Sequence, residues 1–395
     1  MQDDRAEVRR IFEAGLRAAD PYLAVLEALD DVPVPALIVA VGKAARSMAK
    51  AALVRFAGVK CIVVTNYENA CDLDGAVVMA AGHPVPDENG AAAAKAVIAA
   101  LDAVEGPVLA LISGGGSALL PAPAGALTLA DKARVNDLLL GSGLDIVAMN
   151  LIRQQLSDLK GGGFLRHAAP SKVTALILSD VIGNDLSAIA SGPTVGPIGT
   201  TEQAIALLQA HGLWADLPKA VRDHLLQAAP PAPLPEARNI LVGANGKSVA
   251  AMKDAAPAAH VIAAPVTGDV ADAARIICDQ AVVGTTVWGG ETTVVLRGTG
   301  RGGRNQELAL RIAKEAALRG WTQWTCLQAG SDGRDGPTDA AGGLVDQDTL
   351  GRISDPDRLL ANNDSYAALK AAGDLLIMDA TGTNVADLGV LIRRR

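Results

Sequence analysis

In PVLALISGGGSALL, residues 107 to 120, an apolar run without polar alternation halts at Ser113, passes through three consecutive glycines and restarts at Ser117. A short strand that is apolar on both faces belongs in a sheet covered on both sides, which is the habit of parallel sheets. The pattern recurs at PALIVAV (35 to 41), KCIVVTN (60 to 66), GAVVMAAG (75 to 82) and KVTALILSD (172 to 180). Segments of helical period lie between these runs, at 44 to 56, 88 to 104, 128 to 140 and 145 to 159. Alternating strands and helices of this kind predict a doubly wound α/β fold with a mostly parallel sheet.

The chain has 395 residues, more than one hydrophobic core usually serves, so two domains are expected. AAPPAPLPEA, 228 to 237, carries four prolines that can neither continue a helix nor pair as a central strand, and it sets the expected division: 1 to 230 and 236 to 395. Beyond it, RNILVGA, HVIAAPV and WTCLQAG read as strands, and TTVWGGETTVVLRG (285 to 298) as two β runs about a Gly-Gly turn, which predicts a smaller domain with a mixed sheet. The first twenty residues read as an ordinary surface helix without a signal-peptide core.

A formal net charge of -8 lacks the basic surplus that binding to a phosphate backbone needs, so no nucleic-acid partner is expected. No apolar stretch reaches membrane-spanning length, and no membrane association is read. Cys61, Cys71, Cys278 and Cys326 are far apart and without metal-type spacing, which favours free thiols and a cytoplasmic location. A homodimer is kept open as an assembly.

In open α/β sheets ligands sit beyond the carboxyl ends of the strands, so the residues that follow each strand carry the functional signal. The glycine loop Ser113, Gly114, Gly115, Gly116 and Ser117 can present successive backbone N–H groups to an anion, or it can be a tight turn. It matches neither GxxxxGK[ST] nor GxGxxG, and it contains no lysine. Lys43, in IVAVGKAARSMAKAA, stands at another strand-to-helix junction, where it can serve phosphates or simply be solvated. VGANGKSVA (242 to 250) offers Asn245 and Lys247 as ligand contacts or as an ordinary helix start, but Leu241 occupies the place of the first P-loop glycine.

LSDVIGNDLSAIASGPT (178 to 194) and AGSDGRDGPTDAAGG (329 to 343) place aspartates beside glycines. Magnesium takes oxygen ligands, so Asp180 and Asp332 are the candidate metal ligands. Asn184, Asp185, Asp335 and Asp339 can equally close Asx-turns. In GTGRGGRNQELALRIAKEA (298 to 316) a Gly/Arg approach enters a helix near Asn305, which puts Arg301 and Arg304 at a helix N-terminus where cations oppose the dipole. An anionic ligand accounts for them: Arg304 can hold a carboxylate or a transferring phosphoryl group, and Arg301 can join in substrate binding. The five histidines form no ligand pair, His83 reads chiefly as a turn residue, and neither Ser113 nor Ser117 sits in GxSxG.

Taken together, VGKAARSMA, GHPVPDENG, LISGGGSAL, LSDLKGG, LILSDVIGNDLSAIASGPT, GGETTV, GRGGRNQELAL, GSDGRDGPTDAAGG, NNDSYAAL and TGTNVADL run in order over residues 38 to 388. In these motifs the chain resembles the glycerate 2-kinases whose C-terminal part is called the MOFRL domain. The resemblance implies a Rossmann-like N-terminal domain, a smaller C-terminal domain and an active site in the cleft between them. It also implies transfer of phosphate from ATP, with magnesium, to the 2-hydroxyl of D-glycerate. Lys43 and Arg304 match the family's catalytic cations, and Asp180 is a third catalytic candidate. Lys43, Ser113, Arg301 and Arg304 are expected to meet substrate; the glycine loop, Asn245 and Lys247 are expected to meet nucleotide.

Three departures stand out: Gln154 and Gln155 replace a common Lys-His pair, Gly163 stands where an arginine often follows, and MDATGTN lacks a proline before TGTN. Two other functions compete. Members of the family have been labelled hydroxypyruvate reductases, but no complete strand–GxGxxG–helix fingerprint for NAD(P)H is present. A non-catalytic sensor of sugar acids or nucleotides would not need to keep Lys43, Asp180, Asp332 and Arg304 together.

Overall fold

The computed structural model describes residues 2–228 and 233–394. They form two compact units, one of Pro21–Val242 and the other of the chain up to Asp20 with that from Gly243 onward. The expected split at 230/236 therefore shifts in two ways: the first helix joins the C-terminal unit, and the first unit continues to Val242. Residues 229–232 of the proline-rich stretch lie outside the described residues.

The unit Pro21–Val242 is built on six strands, β1 (Leu37–Val41), β2 (Lys60–Asn66), β3 (Ala76–Ala81), β4 (Val108–Ile112), β5 (Val173–Leu178) and β6 (Ala237–Gly243), in the order β3-β2-β1-β4-β5-β6. The ladders joining β3 to β5 through this order are parallel. Every residue of β1, β4 and β5 is buried, as uninterrupted apolar runs require. Leu37, Val39 and Val41 share a core with Ala93, Val97 and Leu101 of the helix Glu88–Asp102. Each large aliphatic side chain so buried contributes roughly 1.5–3 kcal/mol. Connections leave β1 toward β2 on one side while β4 lies on the other, so the topological switch point falls between β1 and β4. Val41 pairs with Ile112, which brings Gly42 and Ser113 out of the sheet side by side.

RNILVGA was expected in the second sheet, but it forms β6 at the edge of the first. An apolar run can extend either sheet, and sequence does not choose between them. The other unit carries a mixed seven-stranded sheet: β7 (His260–Val261), β8 (Val266–Asp269), β9 (Gly284–Thr293), β10 (Trp324–Gly330), β11 (Ala340–Asp346), β12 (Leu375–Ile377) and β13 (Asp387–Arg393). Strand β9 pairs antiparallel with β13 and parallel with β7 and β8.

Helices cover both faces of this second sheet. Ile277 of Val270–Gln280 and Leu308 and Ile312 of Arg304–Leu318 pack with Trp288, Cys326 and Leu391. Val8, Ile11 and Phe12 of Gln2–Ala18 pack on the opposite side with Met252, Val287 and Leu327. The first helix is thus a core element rather than a surface one.

Gly289 and Gly290 were expected to turn the chain; β9 runs straight through them. A Cβ at Gly289 would stand 2.8 Å from the Asn245 Cγ, and one at Gly290 would stand 2.7 Å from the Val266 carbonyl carbon. Close approach to neighbouring elements, not turn formation, requires these glycines. The four cysteines are free thiols, three of them buried and Cys71 exposed. Among the described residues no helix is long and apolar enough to cross a membrane.

Candidate active site

The two loops at the switch point are stitched together by their backbones. Lys43 N donates to the Gly114 carbonyl at 2.9 Å, and Ser113 N donates to the Val41 carbonyl at 2.9 Å. The Ser113 hydroxyl accepts from Ala44 N at 3.1 Å and donates to the Val41 carbonyl at 3.3 Å, so it is committed to holding the loops together. Gly42 has φ +121°, and a Cβ there would lie 2.5 Å from the Ser113 carbonyl oxygen. Glycine is needed at this position on both counts.

The loop itself leaves donors over. Among the described residues, no backbone carbonyl takes the N–H groups of Gly114, Gly115, Gly116 or Ser117. Four consecutive amides without a backbone partner, at the carboxyl edge of a parallel sheet, make a concavity suited to an anion. Three side chains close on it. A Cβ added at Gly114 would stand 2.5 Å from the Asp180 Cγ; one at Gly115 would stand 3.3 Å from the Lys43 Cγ and 3.2 Å from the His83 Nε2. The absence of side chains on the loop is what lets an acid, a base and a cation approach it.

Lys43 is half-buried, and no ion pair engages its ammonium among the described residues. Its carbonyl accepts from Asn69 Nδ2 at 3.1 Å and from Thr65 Oγ1 at 3.5 Å, which anchors the turn to the end of β2. Burial, and then the neighbouring Lys43 charge, push the His83 imidazole below its ordinary value and keep it neutral at pH 7. His83, Thr65 and Asn69 were not assigned to the site from sequence; only GHPVPDENG gave a signal, and it read as a turn.

In the other unit Arg304 opens the helix Arg304–Leu318. Its Nε and Nη2 donate to Asp387 at 2.7 and 3.1 Å, and its Nη1 to Glu291 at 2.9 Å. Two carboxylates therefore offset the unfavourable dipole position, a structural reason for the arginine that sequence did not supply. Burial pushes the Asp387 carboxyl up, and Arg304 pulls it back.

Asp335, weighed as a turn residue, instead caps this helix, accepting from Asn305 N at 3.0 Å and Gln306 N at 2.8 Å. Burial pushes its carboxyl up to about 6. Arg301 donates to the Pro337 carbonyl at 2.9 Å and stacks over Tyr366 at 5.0 Å. Asn245 spends its amide on the Val385 and Asp387 carbonyls at 2.8 and 3.0 Å, while Lys247 is exposed.

Asp180 and Asp332, the expected metal ligands, stand in different units. Asp332 accepts from Arg334 N at 2.9 Å in an Asx-turn, and Asp185 does the same with Ser187 N. Among the described residues no group of three or more His, Cys, Asp or Glu is arranged to hold a metal.

The glutamines that replace a Lys-His pair are braces. Gln154 Nε2 donates to the Ser191 carbonyl at 3.1 Å and Gln154 Oε1 accepts from Ile198 N at 2.8 Å, while Gln155 donates to the Gly199 carbonyl at 3.1 Å. Gly163 leaves no room for an arginine side chain, since a Cβ would lie 2.6 Å from the Asp158 carbonyl carbon.

A 3-2-1-4-5-6 doubly wound sheet with an anion-suited glycine loop at its switch point defines a class, the α/β proteins of Rossmann type that hold a small ligand at the strand ends. Comparison with known proteins narrows it. Residues 7–226 match the domain of unknown function DUF4147, and residues 284–387 match the MOFRL family. A D-glycerate 2-kinase of Thermotoga maritima is 39% identical over 96% of this chain and 95% of its own. A protein of Agrobacterium vitis, provisionally named hydroxypyruvate reductase, is 39% identical over 98% of this chain and 94% of its own. The crystal structure of a glycerate kinase from Thermotoga maritima superposes with a TM-score of 0.93 at 37% identity, covering 100% of both chains. The chain belongs to the glycerate kinase family with DUF4147 and MOFRL domains.

Proposed function

We propose that the protein transfers the terminal phosphoryl group of ATP to the 2-hydroxyl of D-glycerate, forming 2-phospho-D-glycerate and ADP. The observation that carries this reading is the run of four amides without backbone acceptors, Gly114 to Ser117, flanked by Lys43 and Asp180. Phosphoryl transfer asks a protein mainly for positioning and charge stabilisation, and that is what such a loop supplies. The amides and Lys43 hold phosphate oxygens as the bond to ADP breaks and the bond to the glycerate oxygen forms. Asp180 orients the hydroxyl and takes its proton, or holds the metal. Arg304, its guanidinium fixed by Asp387 and Glu291, is the second cation assigned to the transferring group or the substrate carboxylate.

Magnesium needs only one or two protein carboxylates when phosphate and water complete its shell, and Asp180 fits that demand because Gly114 leaves space for its carboxylate against the loop. When bound, the ion neutralises charge on phosphate oxygens. The reductase name borne by a relative is tested alongside. Incubation with D-glycerate, ATP and magnesium should release ADP and place phosphate on carbon 2 by NMR. NADH oxidation with hydroxypyruvate, without ADP release in the first arm, would refute the kinase reading. Binding of either ligand with neither reaction would do the same and leave a sensor.

A further inference from the structure

Beside the glycine loop, within the same unit, lies a cavity of about 570 Å³. Its lining includes Gly115 and Ser117 of the loop, the cations Lys132, Arg153 and Lys160, and one carboxylate, the exposed Asp137. The rest is largely apolar, with Val85, Leu129, Val135 and Leu140 among the lining. Sequence reading assigned no role to any of the three cations.

Their partners are all neutral. Lys160, only 7% exposed, donates to the Ser117 Oγ at 2.7 Å. Lys132 donates to the Leu156 carbonyl at 2.9 Å, and Arg153 donates to the Asn150 side-chain oxygen at 3.4 Å and to that of Asn136 at 2.5 Å. None is in an ion pair among the described residues. Taking a cation out of water without a counter-charge costs several kcal/mol, and three in one cavity compound that cost through mutual repulsion. Asp137 offsets part of this charge, the single carboxylate of a three-carbon acid would still leave some of it uncompensated, and a polyphosphate meets it. The apolar remainder accepts a flat base, and the volume is in the range of small-molecule sites.

We propose that this cavity seats the nucleotide of the reaction, with the phosphates on Lys160, Arg153, Lys132 and the loop amides and the base against Val85, Val135 and Leu140. The proposal rests on the kinase reading for its donor and places that donor wholly on residues of the unit Pro21–Val242, with no part assigned to Asn245 or Lys247. Burial and then Arg153 push Lys160 down to about 7, while burial and then Lys160 push Lys132 down. Lys160 shares the cavity with Arg153 and Lys132 from two helices, with Asp137 and His83, and Asp158 stands in the turn before it. A polyanion arriving there reverses the shift and draws a proton from solution.

The test uses the full chain, with ADP as the probe in calorimetry and steady-state kinetics as the second readout. Ala133→Trp, at an exposed position lining the cavity, and Arg153→Gln should each weaken ADP binding by about tenfold or more. The KM for ATP should rise by a like factor and the KM for glycerate should stay within about twofold. At pH 8 the native chain should take up protons on binding ADP, and Lys160→Met should take up fewer. Unchanged ADP affinity in both Ala133→Trp and Arg153→Gln, a rise confined to the glycerate KM, or no proton uptake by the native chain would each overturn the proposal. Should glycerate never be phosphorylated while Ala133→Trp still weakens ADP binding, the kinase reading falls and the nucleotide seat stands. Normal turnover with both KM values unchanged in both variants means the opposite: the kinase reading stands and the nucleotide seat falls.

Discussion

Gly114→Ala isolates the position of one carboxylate. Gly114 does not adopt a positive φ, so alanine is conformationally acceptable there and the change acts through its methyl group alone. That methyl would stand 2.5 Å from the Asp180 Cγ, while ordinary contact begins near 3.4 Å, so the carboxyl must retreat by about 1 Å. Misplacing a reacting group by about 1 Å costs on the order of a hundredfold in turnover, or about 2.7 kcal/mol of transition-state stabilisation. The assay is the initial rate of ADP release with glycerate and ATP saturating, with the thermal midpoint as a control for folding. A double-mutant cycle with Asp180→Ala gives the decisive comparison. Once the carboxylate is gone, the nearest atom left to the methyl is the Asp180 Cβ at 3.1 Å, so adding Gly114→Ala should lower turnover by no more than about threefold. If Gly114→Ala turns over at the native rate, or if the two losses multiply in the double variant, the carboxylate's seat against the loop is irrelevant to the reaction.

Lys43→Ala should lower turnover by about a hundredfold to a thousandfold with an unchanged unfolding midpoint, since its ammonium supports no ion pair; near-normal turnover would remove it from the chemistry. Arg304→Lys keeps the charge but loses the forked bond to buried Asp387, and urea unfolding should show a loss of about 2 kcal/mol; unaltered stability would mean that Asp387 does not depend on the arginine. Burial raises Asp335 from 3.8 to about 6, so its contribution to stability is fully present below about pH 4 and is lost as pH rises through 6. The stability of the native chain minus that of Asp335→Asn should therefore fall by about 2 kcal/mol between pH 4 and pH 7, and a flat difference would show the carboxyl is not held up by burial.

The first sheet was legible because its strands are apolar on both faces and end in polar or glycine residues: 60 to 66 was read to the residue, and the glycine loop was placed at the correct strand end. The second sheet was harder for a reason visible at Gly289 and Gly290. A glycine pair reads the same whether the chain must turn or a neighbour must come close, and here Asn245 and the Val266 backbone make the demand. The first helix misled in a similar way. Its charges suggested a surface helix, and nothing local says that Val8, Ile11 and Phe12 will meet strands more than three hundred residues later in the chain.

The cations of the cavity show why a site can be invisible in a sequence whose charges look balanced. Lys132 follows Asp131, and Lys160 follows Asp158 by two residues, so each seems locally compensated. Asp131 is consumed as a helix cap: its carboxylate accepts from Thr128 N at 2.9 Å and Thr128 Oγ1 at 2.6 Å, reciprocating the bond from Asp131 N to that hydroxyl. Asp145, ahead of Arg153, is likewise spent on Ala148 N at 2.8 Å. Capping satisfies the orphan amides of two helices and in doing so withdraws two carboxylates from the lysine and arginine beside them. The fold then gathers three cations around one cavity whose lining has a single carboxylate, Asp137, and the imbalance a ligand must correct is created by the fold rather than by composition. The same logic separates the two arginines of interest. Arg304 was singled out because sequence gave it no partner, and the fold gave it two; Arg153 drew no notice, and the fold left it facing a cavity with only amide oxygens to hold.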